Sequence, residues 1–240
     1  VGSIDQPQLR AFADRNAVAL VAVKGDPVQR GFYPPDLLDP YLERLGEMLH
    51  RPELATLPAI TFGHSNGTGF SALIAALRPD RTIAWISYHP GATSYLQYPD
   101  LEKTPGLVMH GLADPFFSPE HEAVIAALRR ERAAPLTFMI EPDVPHFPVD
   151  KGQNATFAFI AAYCEAALRI RLKPDGGLRP VVLENGWLGG AYDRAKGGRQ
   201  RLSIAPYRAF VGDPSTATWL PDETFAEVWR RYGETDPRSP

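Results

Sequence analysis

Short apolar runs alternate with helix-like segments along most of this chain, and that alternation constrains the fold more than any other feature. The runs Ala17 to Lys24, Leu57 to Phe62, Thr82 to Tyr88, Pro105 to Gly111 and Leu136 to Glu141 are rich in β-branched residues and bounded by Gly, Pro or Asp. They read as strands buried on both faces. Pro7 to Asp14, Pro35 to Leu49, Phe70 to Leu77, Pro119 to Arg132 and Ala155 to Leu172 read as helices between and after them. Strand-helix-strand units close with right-handed crossovers, so the expected class is α/β: a mostly parallel sheet with helices on both faces. Ligands of such sheets gather at the carboxyl ends of the strands.

A chain of 240 residues can bury roughly 70 to 75% of its unfolded surface, so neither disulfides nor a structural metal is required. The 25 basic and 28 acidic residues leave a charge of −3, which gives no electrostatic reason to expect a nucleic acid partner. Cys164 is the single cysteine and lies in an apolar stretch, where an inert buried thiol is expected. The uncharged segment Ala155 to Cys164 is far shorter than the roughly 20 residues of a membrane span. The 24 prolines fall mostly between the periodic segments and predict many ordered loops. The first residue, Val1, is followed by no charged and apolar leader, so compartment is left open, a secreted or periplasmic location included. Oligomeric state is equally unread.

Gly63, His64, Ser65, Asn66 and Gly67 spell G-x-S-x-G between a predicted strand and a predicted helix. A serine hydroxyl becomes an effective nucleophile on such a tight turn, where its oxygen is exposed and backbone N–H groups point at the same spot. Side chains at positions 63 and 67 are expected to collide where the helix crosses back over the strand. Two further residues fall on the same sheet edge. Asp114 follows the strand ending at Gly111, and His146 follows the strand ending at Glu141. The imidazole is placed to act as general base for Ser65, and the carboxylate to hold its tautomer. Asp114 is also an ordinary turn residue before Pro115. Asp143, only three residues before His146, is the rival acid and would have to curl back on its own loop.

Ser, Asp, His is the chain order of α/β-hydrolases, and residues 7 to 172 resemble the catalytic part of that superfamily. The stretch Arg10 to Val23, the GHSNG turn and the HGLAD turn resemble polyhydroxybutyrate depolymerase-like and feruloyl-esterase-like proteins. Gly186 to Gly189 and Trp219 to Asp222 resemble a feature of some bacterial members. Family members usually carry three strands before the one expected at residues 17 to 24, so the first strands are apparently lacking. Either the chain is the carboxyl-terminal part of a longer protein, the reading preferred here, or residues 17 to 24 pair directly with 57 to 62. The division expected is a hydrolase core over 1–172 and an extension over 173–240 packed on the same domain, ending in a helix over Thr224 to Tyr232 that Trp219 and Trp229 help to pin.

The resemblance implies a serine esterase acting on a small-molecule ester, with no cofactor. Asn66, the residue after the nucleophile, supplies one oxyanion N–H. His64, His89, Phe116, Phe117, Phe147 and Trp187 are candidate pocket residues, and His110 is read as a satisfied near-core histidine. The histidines lack metalloprotease spacing, so no metal is expected. Arg194, Lys196, Arg199 and Arg201 read as a solvated basic loop. The contrasting expectation is a hydrolase-like fold that binds an apolar ligand or a protein and turns nothing over.

Overall fold

The computed structural model describes residues 2–23, 38–147 and 150–235. Among these are six helices, α1 (Pro7–Asn16), α2 (Leu38–Leu49), α3 (Gly67–Leu77), α4 (Pro119–Arg132), α5 (Asp150–Arg171) and α6 (Glu223–Glu234). The main sheet holds β1 (Ala59–His64), β2 (Thr82–Tyr88), β3 (Gly106–Gly111) and β4 (Leu136–Glu141), in that spatial order and all parallel. A second, antiparallel sheet has the order β6 (Ile204–Pro206), β5 (Trp187–Gly189), β7 (Thr218–Leu220). The class is therefore α/β, as the alternation requires.

Burial on both faces explains why the sheet strands are apolar throughout. Ala84, Ile86 and Tyr88 of β2 and Leu107 and Met109 of β3 enter one core with Phe12 of α1 and Phe159, Ile160 and Tyr163 of α5. The intervening Trp85 and Val108 enter a second core with Ala72 and Ala75 of α3 and Ile125 and Leu128 of α4. Successive side chains thus point to opposite faces, with helices covering each. Cys164 is buried in α5, where burial pushes its thiol up to about 12.

The expected strand over 17–24 does not form among the described residues. Ala17 is the left-handed C-cap of α1, at φ 52°, and residues 18 to 23 have no regular structure. Only Val18 and Leu20 reach the core, while Val21 and Val23 are 47% and 38% exposed. An apolar run becomes a strand when its backbone groups find a ladder partner, and residues 18 to 23 make no such pairing with β1. Direct pairing of this run with 57–62 is thus not realised. Lys24 and residues 35–37 lie outside the described residues.

The extension closes the other edge of the sheet. Thr137 Oγ1 donates to the Trp219 carbonyl at 2.7 Å, Phe138 N–H donates to Thr218 Oγ1 at 2.6 Å, and the Trp229 indole donates to the Phe138 carbonyl at 3.0 Å. These bonds satisfy β4 groups that a missing neighbour would leave bare. Trp219 and Trp229 are 1% and 2% exposed, so both anchor the extension as expected. The basic loop is solvated at Lys196 and Arg201, whose side chains are 75% and 74% exposed, and tied down at its other two cations. Arg194 pairs with Glu122 at 2.6 Å and lies 4.7 Å over the Phe117 ring, and Arg199, 11% exposed, donates to the Tyr232 carbonyl at 3.1 Å. Arg194 and Arg199 tether it to α4 and α6.

Replacing Thr218 by Val removes the acceptor for the Phe138 N–H, and the expected loss is about 1–3 kcal/mol. Urea unfolding should show this as a lower midpoint of one cooperative transition. Two separate transitions would instead make the extension an independent unit.

Candidate active site

The turn after β1 is held in a conformation that few residues adopt freely. Ser65 has φ 55°, the left-handed region, and strain of this kind persists where surrounding structure enforces it. Its N–H donates to the Tyr88 carbonyl at 3.1 Å, and its carbonyl accepts from Thr68 N–H at 3.1 Å and Thr68 Oγ1 at 2.7 Å. A Cβ at Gly63 would stand 2.1 Å from the Gly67 carbonyl oxygen, so that glycine is compulsory. Gly67 is not: a Cβ there would meet nothing within 4 Å, because the helix leaves the turn with this position outward. The expected collision exists at only one of the two glycines.

His146 brings the next group to Ser65. Its Nε2 lies 2.8 Å from Ser65 Oγ, and its Nδ1 lies 2.8 Å from Asp114 Oδ2. Asp114 is 3% exposed, and its two oxygens divide the work. Oδ1 accepts the Phe116 N–H at 2.9 Å, making the turn, while Oδ2 faces the imidazole. The turn-former and the orienting carboxylate are the same side chain. Asp143 is 44% exposed and lies 3.7 Å from Arg199, so this rival carboxylate is turned toward the extension. The loop bearing His146 sits directly on the end of β3, where a Cβ at Gly111 would fall 1.8 Å from the Val144 carbonyl oxygen.

Two imidazoles among the candidate pocket residues hold this loop. His64 Nε2 lies 2.9 Å and His89 Nδ1 3.1 Å from the backbone carbonyl of His146. A carbonyl only accepts, so both nitrogens carry the proton. Burial holds the His64 pKa below its ordinary value, which keeps that ring neutral. His89 is fully buried and places Nε2 2.9 Å from Glu141 Oε2, so it cannot line an open pocket. Tyr232 donates to the other oxygen of Glu141, and Thr156 reaches it at 3.4 Å. Burial, then the Glu141 charge, drive the Tyr232 phenol well above its ordinary range, so it remains a donor.

Phe116 and Phe147 flank the His146 ring edge-on at centroid distances of 4.8 and 4.9 Å, and are 55% and 67% exposed. Phe117 packs on His110 at 4.5 Å instead, and Trp187 belongs to β5 and packs against the main core. Asn66 is exposed and directly precedes α3. Among the described residues, His89, Asp114 and His146 have potential ligand atoms within 4.8 Å of one another. Those atoms already face hydrogen-bond partners, His146 Nδ1 and Asp114 Oδ2 each other and His89 Nδ1 the carbonyl above.

Glu141 and Tyr232 were not singled out from sequence. The signal for Glu141 was present, a carboxylate ending an otherwise apolar strand. Tyr232 gave none, because its partner is 91 residues away. His110 corrects the reading of a satisfied core histidine, since neither ring nitrogen has a hydrogen-bond partner among the described residues. No protein-family model matches this chain, and no curated protein matches it in sequence.

Gly63→Ala is expected to abolish stable folding, whereas Gly67→Ala should unfold within a few degrees of the parent in thermal melts. Acid provides a second test. Burial lowers the pKa of His110 to about 2 and also lowers those of His64 and His121. Below about pH 6.5 the unfolded chain therefore binds protons that the folded one refuses, and stability falls with pH, by up to about 1.4 kcal/mol per unit for His110. His110→Leu should flatten the decline in melting temperature between about pH 7 and 5.

Proposed function

We propose that this chain is a serine hydrolase of the α/β-hydrolase type that cleaves carboxylic esters through an acyl-enzyme. The observation carrying this reading is the continuous path from Ser65 Oγ through His146 to Asp114, two hydrogen bonds of 2.8 Å each. The position of Ser65 on a strained turn between strand and helix supports it further.

In the proposed cycle, Ser65 Oγ attacks the ester carbonyl while His146 Nε2 takes its proton. The resulting imidazolium is stabilised by Asp114 and then delivers the proton to the leaving alcohol. Water, activated by the same imidazole, cleaves the acyl-enzyme and restores Ser65. The Asn66 N–H, at the start of α3, is the proposed oxyanion donor, where the helix N-terminus also favours developing negative charge. Phe116 and Phe147 offer apolar contact to an acyl or aryl group. No cofactor enters the scheme.

Binding without turnover is the second reading. The observation favouring it is a largely apolar cavity of about 160 Å³ between α4, β4 and the extension, lined in part by Ile125, Phe138, Leu202 and Trp229 and by none of Ser65, Asp114 or His146. A fluorophosphonate probe and a short-chain aryl ester separate the two. The wild type should label at Ser65 and turn over the ester. Ser65→Ala and His146→Ala should each lose about 10⁴-fold or more in kcat, and Asp114→Asn about 10²- to 10⁴-fold. A folded wild type that neither labels nor exceeds Ser65→Ala would leave only the binding reading.

A further inference from the structure

The proposed acyl transfer gives no task to His89 or Glu141, although both are fully buried directly beneath the base. His89 follows β2 with φ 46°, a second left-handed residue beside the strained Ser65. That backbone turns its ring under the neighbouring loop, with Nδ1 3.1 Å from the His146 carbonyl and Nε2 2.9 Å from Glu141.

Proton accounting fixes what this pair can be. The carbonyl demands a proton on His89 Nδ1. A second proton must lie between Nε2 and Glu141 Oε2, since a lone pair facing a carboxylate at 2.9 Å would repel it. The pair is then neutral overall, and no uncompensated charge is buried. Tyr232 and Thr156 hold the far oxygen of Glu141. With His64 also donating at 2.9 Å, the His146 carbonyl has both acceptor sites filled.

We infer that His89 is a positioning residue for the base: held by Glu141, it donates from Nδ1 to the His146 backbone and so fixes the imidazole between Ser65 and Asp114. This rests on the proposed role of His146. The connection reaches α6 through Tyr232, which makes the C-terminal helix part of the support for the site. Misplacing a reacting group by about 1 Å can cost about 100-fold in rate, so the effect belongs in kcat.

The two nitrogens can be separated by substitution. The amide nitrogen of His89→Asn falls near the position of Nδ1 and still reaches the His146 carbonyl. That of His89→Gln falls near Nε2 and reaches only Glu141. With a short-chain aryl ester, His89→Asn should keep kcat within about threefold of wild type, while His89→Gln should lower it about 10- to 100-fold with KM little changed. Glu141→Gln presents an N–H to His89 Nε2, preserves the Nδ1 proton and should also retain kcat. Tyr232→Phe leaves the far oxygen of Glu141 with Thr156 alone, at 3.4 Å, and should lower kcat several-fold, which tests the same chain should a change at position 89 prevent folding. Wild-type kcat in His89→Gln or in Tyr232→Phe, or an equal loss in His89→Asn and His89→Gln, would overturn the inference.

A second readout does not need turnover. The downfield proton NMR signal of His146 Nδ1–H facing Asp114 should be sharp in wild type and His89→Asn and broadened or lost in His89→Gln. An unchanged signal in His89→Gln counts against the positioning role. An inactive wild type with this pattern intact would remove the esterase reading and leave the positioning role standing.

Discussion

Four parallel strands laid down in chain order are the constraint on which the rest of the structure depends. Because β1, β2, β3 and β4 run the same way and neighbour one another in sequence order, their carboxyl ends share one edge. Ser65, His89, Asp114 and His146 each lie just beyond a different strand. The sheet is rigid because β2 and β3 are buried along their whole length, so the four loops inherit fixed origins. Their side chains then need only short reaches to converge.

Close backbone approach turns that convergence into a defined geometry. Gly63 lets α3 pass within contact of β1, and Gly111 lets the His146 loop rest on β3. Neither approach tolerates a side chain. The price of such tight loops is backbone polar groups without ladder partners, and here buried imidazoles supply part of the answer. His64 and His89 both serve the His146 carbonyl, Glu141 secures His89, and Tyr232 secures Glu141. A buried polar network is stabilising only when each member is satisfied, and the partners here come from β1, β4, α6 and the loop after β2.

The elements legible in sequence were those with strong local signals. Thr82–Tyr88, Leu136–Glu141 and Pro119–Arg132 have the bounds that their composition predicts. The run after Ala17 shows where composition misleads, since it is as apolar as the true strands but has no ladder neighbour among the described residues. The basic loop is solvated as its glycines and charges suggest, but sequence proximity could not reveal the partners on α4 and α6 that hold Arg194 and Arg199.

Local chemistry was therefore determined by the sequence alone: strand and helix alternation, a serine between glycines at a strand-to-helix turn, and a carboxylate and an imidazole just beyond later strands. Tertiary structure decided which carboxylate faces the imidazole, Asp114 and not Asp143, and that His64 and His89 hold the loop, with His89 buried away from any open pocket. It also decided that only Gly63, of the two glycines, is sterically required. The physical reason is that hydrogen bonds over separations of 32 to 91 residues, and the path that brings the Gly67 carbonyl back onto Gly63, depend on how strands stack and loops descend, and no local periodicity encodes those distances.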